Sequence, residues 1–360
     1  MTSTDTEGSE PGTVGLDPEW IAANSTVDGR TPVRAEFAGF VGTGQMSRNA
    51  RFTLDWGSAA GPSSVVVKVP SDDPGTRALS FEHGAYANEC EFYRSVAPLV
   101  DVVAPAALAV HFDATALDFA IVLEDLSGSE QGDQFTEPTD DQLVLAVEQA
   151  VALQAPVWGA TDGPAFAVYR DGAAERGTNL QALLPMFLPA VFERLGDGLD
   201  ADVSELIVAF VDQVGSWHDL QSRQITLVHG DFRPDNFMFG AEDGAPAMSV
   251  VDWQTLALGL GVTDIAYLLG AAVAPERRRE IEHDMLGRYV DGLGRRGIDY
   301  AMDECLADYA LGSLHGVLVA VTATTVAAQT ERGDALFTLM LNRHGRHGLD
   351  LDALSRLRAS

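Results

Sequence analysis

The chain has 360 residues, 46% of them apolar, and 53 acidic against 23 basic residues give a formal net charge of -30. That apolar content excludes wholesale disorder, and so acidic a surface repels phosphate backbones and anionic lipid, which argues against nucleic acid or membrane partners. The length exceeds the roughly 250–300 residues at which one hydrophobic core stops growing, so two lobes are expected.

Residues 1–14 are acidic and polar, unlike a basic, apolar secretory signal, and read as a disordered tail. From Arg34 to Val69 the pattern is strand-like: RAEFAGFV, the glycine-containing turn GTGQMS, RNARFTLDW and SSVVVKV, with Phe52 and Leu54 alternating with polar neighbours. Residues 80–96 carry apolar side chains at helical spacing, and the strand pair AALAVHFD and DFAIVLEDL follows. After Gly132 the character changes, and helices are expected over 140–158, 178–195, 200–222, 276–294 and 302–328. The longest apolar run, 309–328, is interrupted by Ser313, His315 and threonines, so it reads as a buried helix rather than a membrane span. Cys90 and Cys305 lie far apart with no CxxC pair, which implies neither a disulfide framework nor a zinc site and fits a reducing, cytoplasmic setting. The expected fold class is α+β: a small, mostly antiparallel β lobe over 15–127 and a larger, mostly helical lobe over 128–360.

One β element interrupts the helical half, in LVHGDFRPDNFMF and AEDGAPAMSVVDW. Its two short apolar runs flank a turn with Asp243-Gly244 and Pro246, so they should pair as an antiparallel hairpin. Asn236 precedes the first strand and Asp252 follows the second, and cross-strand partners lie ~5 Å apart, so the open end of the hairpin places them side by side. Asp231 sits on the loop feeding the same spot. Two carboxylates and a carboxamide suit a hard cation such as Mg²⁺, held by Asp252 and Asn236, while Asp231 stays free to accept a proton from an attacking hydroxyl. Phosphoryl transfer needs positioning and charge neutralisation of that kind. The only lysine of the sequence, Lys68, stands in an apolar strand rather than on a solvated helix.

His229-Gly230-Asp231 with Asn236, followed by Asp252, resembles the H-x-D-x-x-x-x-N and metal-binding Asp of the aminoglycoside phosphotransferase and choline kinase-like superfamily, which has a protein-kinase-like fold. HGDFRPDN and VVDWQ are similar to its ecdysteroid-kinase-like and bacterial phosphotransferase branches, over roughly residues 34–350. The resemblance implies an ATP-dependent transfer to a hydroxyl of a small molecule, with Asp231 as base and Asn236 and Asp252 as Mg²⁺ ligands. It implies that Lys68 holds the α/β-phosphates and pairs with Glu89 or its rival Glu91. It implies that Gly42 and Gly44 cover the phosphates, and that the hinge IVLEDL reads adenine near Glu124 and Leu126. His229 and Asp264 would brace the catalytic loop. Arg233 would either steady phosphate or an acidic substrate, or form a structural salt bridge. Helices around Trp158 and around Leu184, Met186 and Phe187 would line the acceptor pocket, and 341–354 resembles the helical end of that branch.

Plainer expectations stand beside these. His344 and His347, spaced H-x-x-H without a third ligand, read as surface or capping residues, and the run Glu276-Arg277-Arg278-Arg279-Glu280 as a solvated face. No G-x-x-x-x-G-K-[ST] loop is present, which excludes a Walker-type NTPase. No activation segment of the protein-kinase type follows Asp252. The alternative to an active kinase is a catalytically weak or inactive nucleotide-binding regulator of the same fold.

Overall fold

The computed structural model describes residues 13–42, 46–170, 173–221, 223, 225–327 and 329–359. Two compact units divide the chain, Met1–Arg94 with Pro105–Ser127, and Ser95–Ala104 with Gly128–Ser360.

In the first unit, strands β1 (Arg34–Val41), β2 (Ser47–Asp55), β3 (Ser64–Pro70), β4 (Ala107–Asp113) and β5 (Asp118–Glu124) form an antiparallel sheet in the order β1-β2-β3-β5-β4. The period-two alternation of a strand sets its faces. Phe52 and Leu54 of β2 and Val65, Val67 and Val69 of β3 enter one core with Ile21, Ala120 and Val122. Lys68, out of phase with those valines, leaves the opposite face and meets the helix Ala85–Glu91. Among the described residues the first turn is Val14–Leu16, where the Val14 N–H donates to Asp118 at 2.9 Å; residues 1–12 of the expected tail lie outside the described residues. The single helix expected over 80–96 is instead Pro74–Glu82 and Ala85–Glu91, followed by a π-helical turn, Phe92–Val96.

In the second unit, β6 (Ser129–Gln131), β8 (Phe237–Gly240) and β9 (Met248–Val250) form one small sheet, and β7 (Thr226–Val228) pairs with β10 (Ala257–Gly259). Helices Asp140–Gln154, Ala173–Leu195 and Pro275–Arg295 fall near their expected places, the first opened by a capping box between Thr139 and Gln142. The helix expected over 200–222 is two, Ala201–Val211 and Val214–Gln221, and that over 302–328 is Met302–Gly312 and His315–Val326. The apolar stretch Met302–Val326 is long and apolar enough to cross a membrane, but 67% of its most apolar window is buried in the protein.

Helix Val262–Ala272, which no expectation covered, is buried along its whole length and packs against Met302–Gly312, His315–Val326 and Glu331–Asp350. Buried on every side and carrying its polar groups Thr263, Asp264 and Tyr267 inward, it has no solvated face for a sequence pattern to reveal. Two expectations are corrected by this packing. Arg278 is only 1% exposed, paired with Asp350 and Glu282, so the charge run is not a wholly solvated face. His344 and His347 are both 0% exposed, inside the helical core rather than on its surface.

Candidate active site

The loop that follows β7 is held from every side. Asp264, at the start of the buried helix, accepts the His229 N–H at 2.9 Å on Oδ2 and the Gly230 N–H at 3.1 Å on Oδ1. Thr255 Oγ1 donates to the His229 carbonyl at 2.8 Å, and His315 Nε2 lies 2.7 Å from the Gly230 carbonyl. A carbonyl can only accept, so His315 carries its proton on Nε2. The His229 ring is likewise fixed in one neutral tautomer: Nε2–H donates to Val251 O at 3.1 Å, while Nδ1 accepts the Asp231 N–H at 3.3 Å. Burial pushes the Asp264 carboxyl up to about 7, against the pull of its donors from His229, Gly230 and Gln154.

Gly230 is the pivot. Its φ is +82°, and a Cβ there would lie 2.7 Å from the Thr255 carbonyl oxygen. Gly230→Ala should therefore cost about 2 kcal/mol or more, from the left-handed backbone plus the clash. A lowered urea-unfolding midpoint together with lost activity checks it.

The Asp231 carboxylate, 21% exposed, is the centre of the cluster. Oδ1 accepts the Tyr267 hydroxyl at 2.8 Å and faces Arg233 Nε at 2.8 Å. Oδ2 accepts the Asn236 amide at 2.8 Å. Burial raises the carboxyl, but Arg233 and the Tyr267 hydroxyl outweigh it and hold Asp231 below the usual carboxylate range. Arg233 also donates to Asp235 at 2.7 Å and to Gln134 at 2.6 Å, so in this structure it forms the salt bridge that was one of its two expected roles.

The hairpin carries the two residues expected to hold a cation. Phe237 pairs with Val250, and the Val251 N–H donates to the Asn236 carbonyl at 3.0 Å, which carries the ladder one step beyond β8. Asp252 is the next residue, at the open end, with φ +69°. Aspartate tolerates that left-handed conformation better than most residues. The Asn236 amide nitrogen is spent on Asp231, on both its carbonyl and its Oδ2 at 2.8 Å, which turns the Asn236 side-chain oxygen away from them. One carboxylate and one outward amide oxygen fit a hard cation that takes its other ligands from phosphate and water. Among the described residues no three acidic, histidine or cysteine side chains cluster as a metal site.

In the first unit, Lys68 Nζ lies 2.6 Å and 2.8 Å from the two oxygens of Glu89, with the two side chains 6% and 1% exposed. Glu89, not Glu91, is the partner. Gly42 stands at φ +75° just after β1, and Gly44 lies outside the described residues. Glu124 closes β5 opposite Val65, and Leu126 is half-buried beyond it. Between them, Asp125 is buried under Arg51 and Ser64, at 2.8 Å and 2.6 Å. On the helices expected to line the acceptor pocket, Leu184 is a core residue, Phe187 packs against that core, Met186 is exposed and Trp158 lies against Tyr300. Tyr267, Thr255, His315 and Gln134 carry no local sequence signal, because each acts across 26 to 99 residues of chain.

A family model described as the phosphotransferase enzyme family matches residues 47–309. No curated protein matches the chain by sequence. Among solved structures it is similar to a protein of Ralstonia eutropha JMP134 assigned as an aminoglycoside phosphotransferase, at 17% identity and TM-score 0.54, over 92% of this chain and 97% of that one. It is similar to choline kinase of Cryptosporidium parvum Iowa II at 10% identity and TM-score 0.53, over 88% and 89%. It is also similar to a GDP complex of aminoglycoside 2'-phosphotransferase-IIIa at 16% identity and TM-score 0.51, over 88% and 93%. At these identities the likeness establishes the protein-kinase-like fold.

Proposed function

The chain belongs to the phosphotransferase enzyme family, and from that premise we propose that it transfers the γ-phosphoryl group of ATP to a hydroxyl of a small molecule, with Asp231 as the base. The observation that carries this reading is the Asp231 carboxylate itself: ionised, partly exposed, and fixed in orientation by Tyr267, Arg233 and Asn236.

The acceptor hydroxyl gives its proton to Asp231 as its oxygen forms a bond to the γ-phosphorus. The bond from that phosphorus to the bridging oxygen breaks, and its electron pair leaves with the nucleoside diphosphate. A carboxylate held below its usual range is a weak base. That suits a loose transition state, in which bond-breaking runs ahead and the hydroxyl proton is lost late. Asn236 and Asp252 would hold Mg²⁺, which supplies neutralisation of the charge on the transferring phosphate. Asp264, Thr255 and His315 keep the loop backbone rigid, so that the base does not have to be ordered at each turnover.

Lys68 is read as the contact to the α/β-phosphates, kept in place by Glu89. Lys68→Arg is the informative change, because arginine is what this chain uses everywhere else. A planar fork cannot reproduce a compact ammonium in a closely packed site, so kcat/KM should fall about tenfold or more, some 1.4 kcal/mol of transition-state stabilisation. The test is ATP turnover by both proteins together with amine-reactive labelling of the only lysine with and without Mg-ATP. Near-normal turnover by the variant, with labelling that Mg-ATP fails to block, would remove Lys68 from the role. ATP and GTP are run in parallel, since a structural relative holds GDP.

A further inference from the structure

We infer that Tyr267 is a positioning residue for Asp231, filling Oδ1 so that Oδ2 is the atom that takes the proton of the acceptor. This rests on the reading of Asp231 as the base. A carboxylate oxygen offers two in-plane lone pairs. Oδ1 meets two groups, the Tyr267 hydroxyl, which donates to it, and the Arg233 guanidinium, which lies against it through Nε as an ion pair without hydrogen-bond geometry, each at 2.8 Å. Oδ2 meets one, the Asn236 amide at 2.8 Å, and keeps a lone pair open. The proton of the acceptor hydroxyl goes to that pair while the new O–P bond forms.

The tyrosine ring is itself locked. It is fully buried and stacks on His344 with centroids 5.0 Å apart and planes 10° apart. His315 meets its edge at 5.4 Å and 74°, and the same histidine holds the Gly230 carbonyl beside Asp231. His344 fits there only because its neighbours on two other helices are glycines: a Cβ on Gly270 or Gly316 would lie 2.4 Å or 2.1 Å from its Nδ1. Burial pushes His344 down to about 3, so a neutral flat ring backs the tyrosine, and burial beside Asp231 keeps the Tyr267 hydroxyl protonated as a donor. The helix Glu331–Asp350 thus reaches the base through the stacked pair of His344 and Tyr267, which gives His344 a use that is neither ligand nor cap.

The test follows phosphate release from γ-labelled Mg-ATP, with water as acceptor, in the native protein, Tyr267→Phe, Asp231→Asn and the double variant. Tyr267→Phe should lower kcat about tenfold, the size of a lost hydrogen bond to a charged group, with the KM for ATP and the urea-unfolding midpoint little changed. In the Asp231→Asn background the same change should lower kcat no further. Native kcat in Tyr267→Phe, an equal loss in both backgrounds, or a loss explained by the unfolded fraction would overturn the inference. If Tyr267→Phe folds poorly, His344→Ala frees the ring while leaving the hydroxyl, and a native kcat there overturns it equally. Native turnover by Asp231→Asn is a separate failure, that of the base assignment.

Discussion

Asp231→Asn is expected to lower kcat by about 10²- to 10⁴-fold, the usual contribution of a general base. The amide keeps the shape of the carboxylate and, with its oxygen in the place of Oδ1, can still accept from Tyr267, so the loop, held also by Asp264, Thr255 and His315, should keep its conformation. What it cannot do is take up a proton, and it leaves the Arg233 guanidinium, now paired only with Asp235 and Gln134, without its carboxylate partner at 2.8 Å. Nucleotide affinity should change little, because the role proposed for Asp231 is toward the acceptor rather than the metal. Steady-state kinetics with calorimetric titration of Mg-ATP separate the two effects. A drop of less than about threefold in kcat is far below general-base magnitudes and would take Asp231 out of the role.

The second large effect is expected from Asp252→Asn. Asparagine tolerates a φ of +69° about as well as aspartate, so the backbone at the open end of the hairpin should survive and only the charge is lost. Alanine would confound the two. Changing even the outer-shell partners of a metal ligand costs about 10- to 100-fold in metal affinity, so losing the only proposed carboxylate ligand should reach at least the upper part of that range. Mg²⁺-dependent tightening of ATP binding, measured by titrating ATP with and without magnesium, should collapse in the variant. Undiminished magnesium dependence would mean that the ion is held elsewhere.

The parts of this molecule that were legible in its sequence are those with a strong local period or a short local motif. β2 alternates apolar and polar residues, β3 is a run of valines, and the hairpin of β8 and β9 is marked by its Asp-Gly and Pro turn, so the places of Asn236 before the first strand and Asp252 after the second were legible from spacing alone. Lys68 was conspicuous as the single lysine in a valine strand, and the structure decides its partner in favour of Glu89. What escaped has physical causes. The helix Val262–Ala272 is buried on every side, and the three-residue strands β6 and β10 are too short to show a period. Arg278, His344 and His347 look like surface residues because charge and polarity usually mark the surface. Here acidic partners, close-packed glycines and a stacked tyrosine accommodate them inside. Tyr267 escaped because its hydroxyl meets Asp231 across 36 residues, a contact that only the packing of the buried helix creates.

The central claim, transfer of a phosphoryl group to a small-molecule hydroxyl, is tested most directly by mass spectrometry of the acceptors. A panel of amino alcohols, sugars, aminoglycosides, macrolides and sterol-like alcohols is incubated with the protein, magnesium and ATP or GTP, with Asp231→Asn as the blank. At least one acceptor should gain the mass of a phosphoryl group, in proportion to nucleoside diphosphate formed, with the native protein and not with the blank. A protein that binds Mg-ATP tightly yet leaves every acceptor unmodified, or that modifies one equally well as Asp231→Asn, would contradict the account; the first result would instead favour a nucleotide-binding regulator of the same fold.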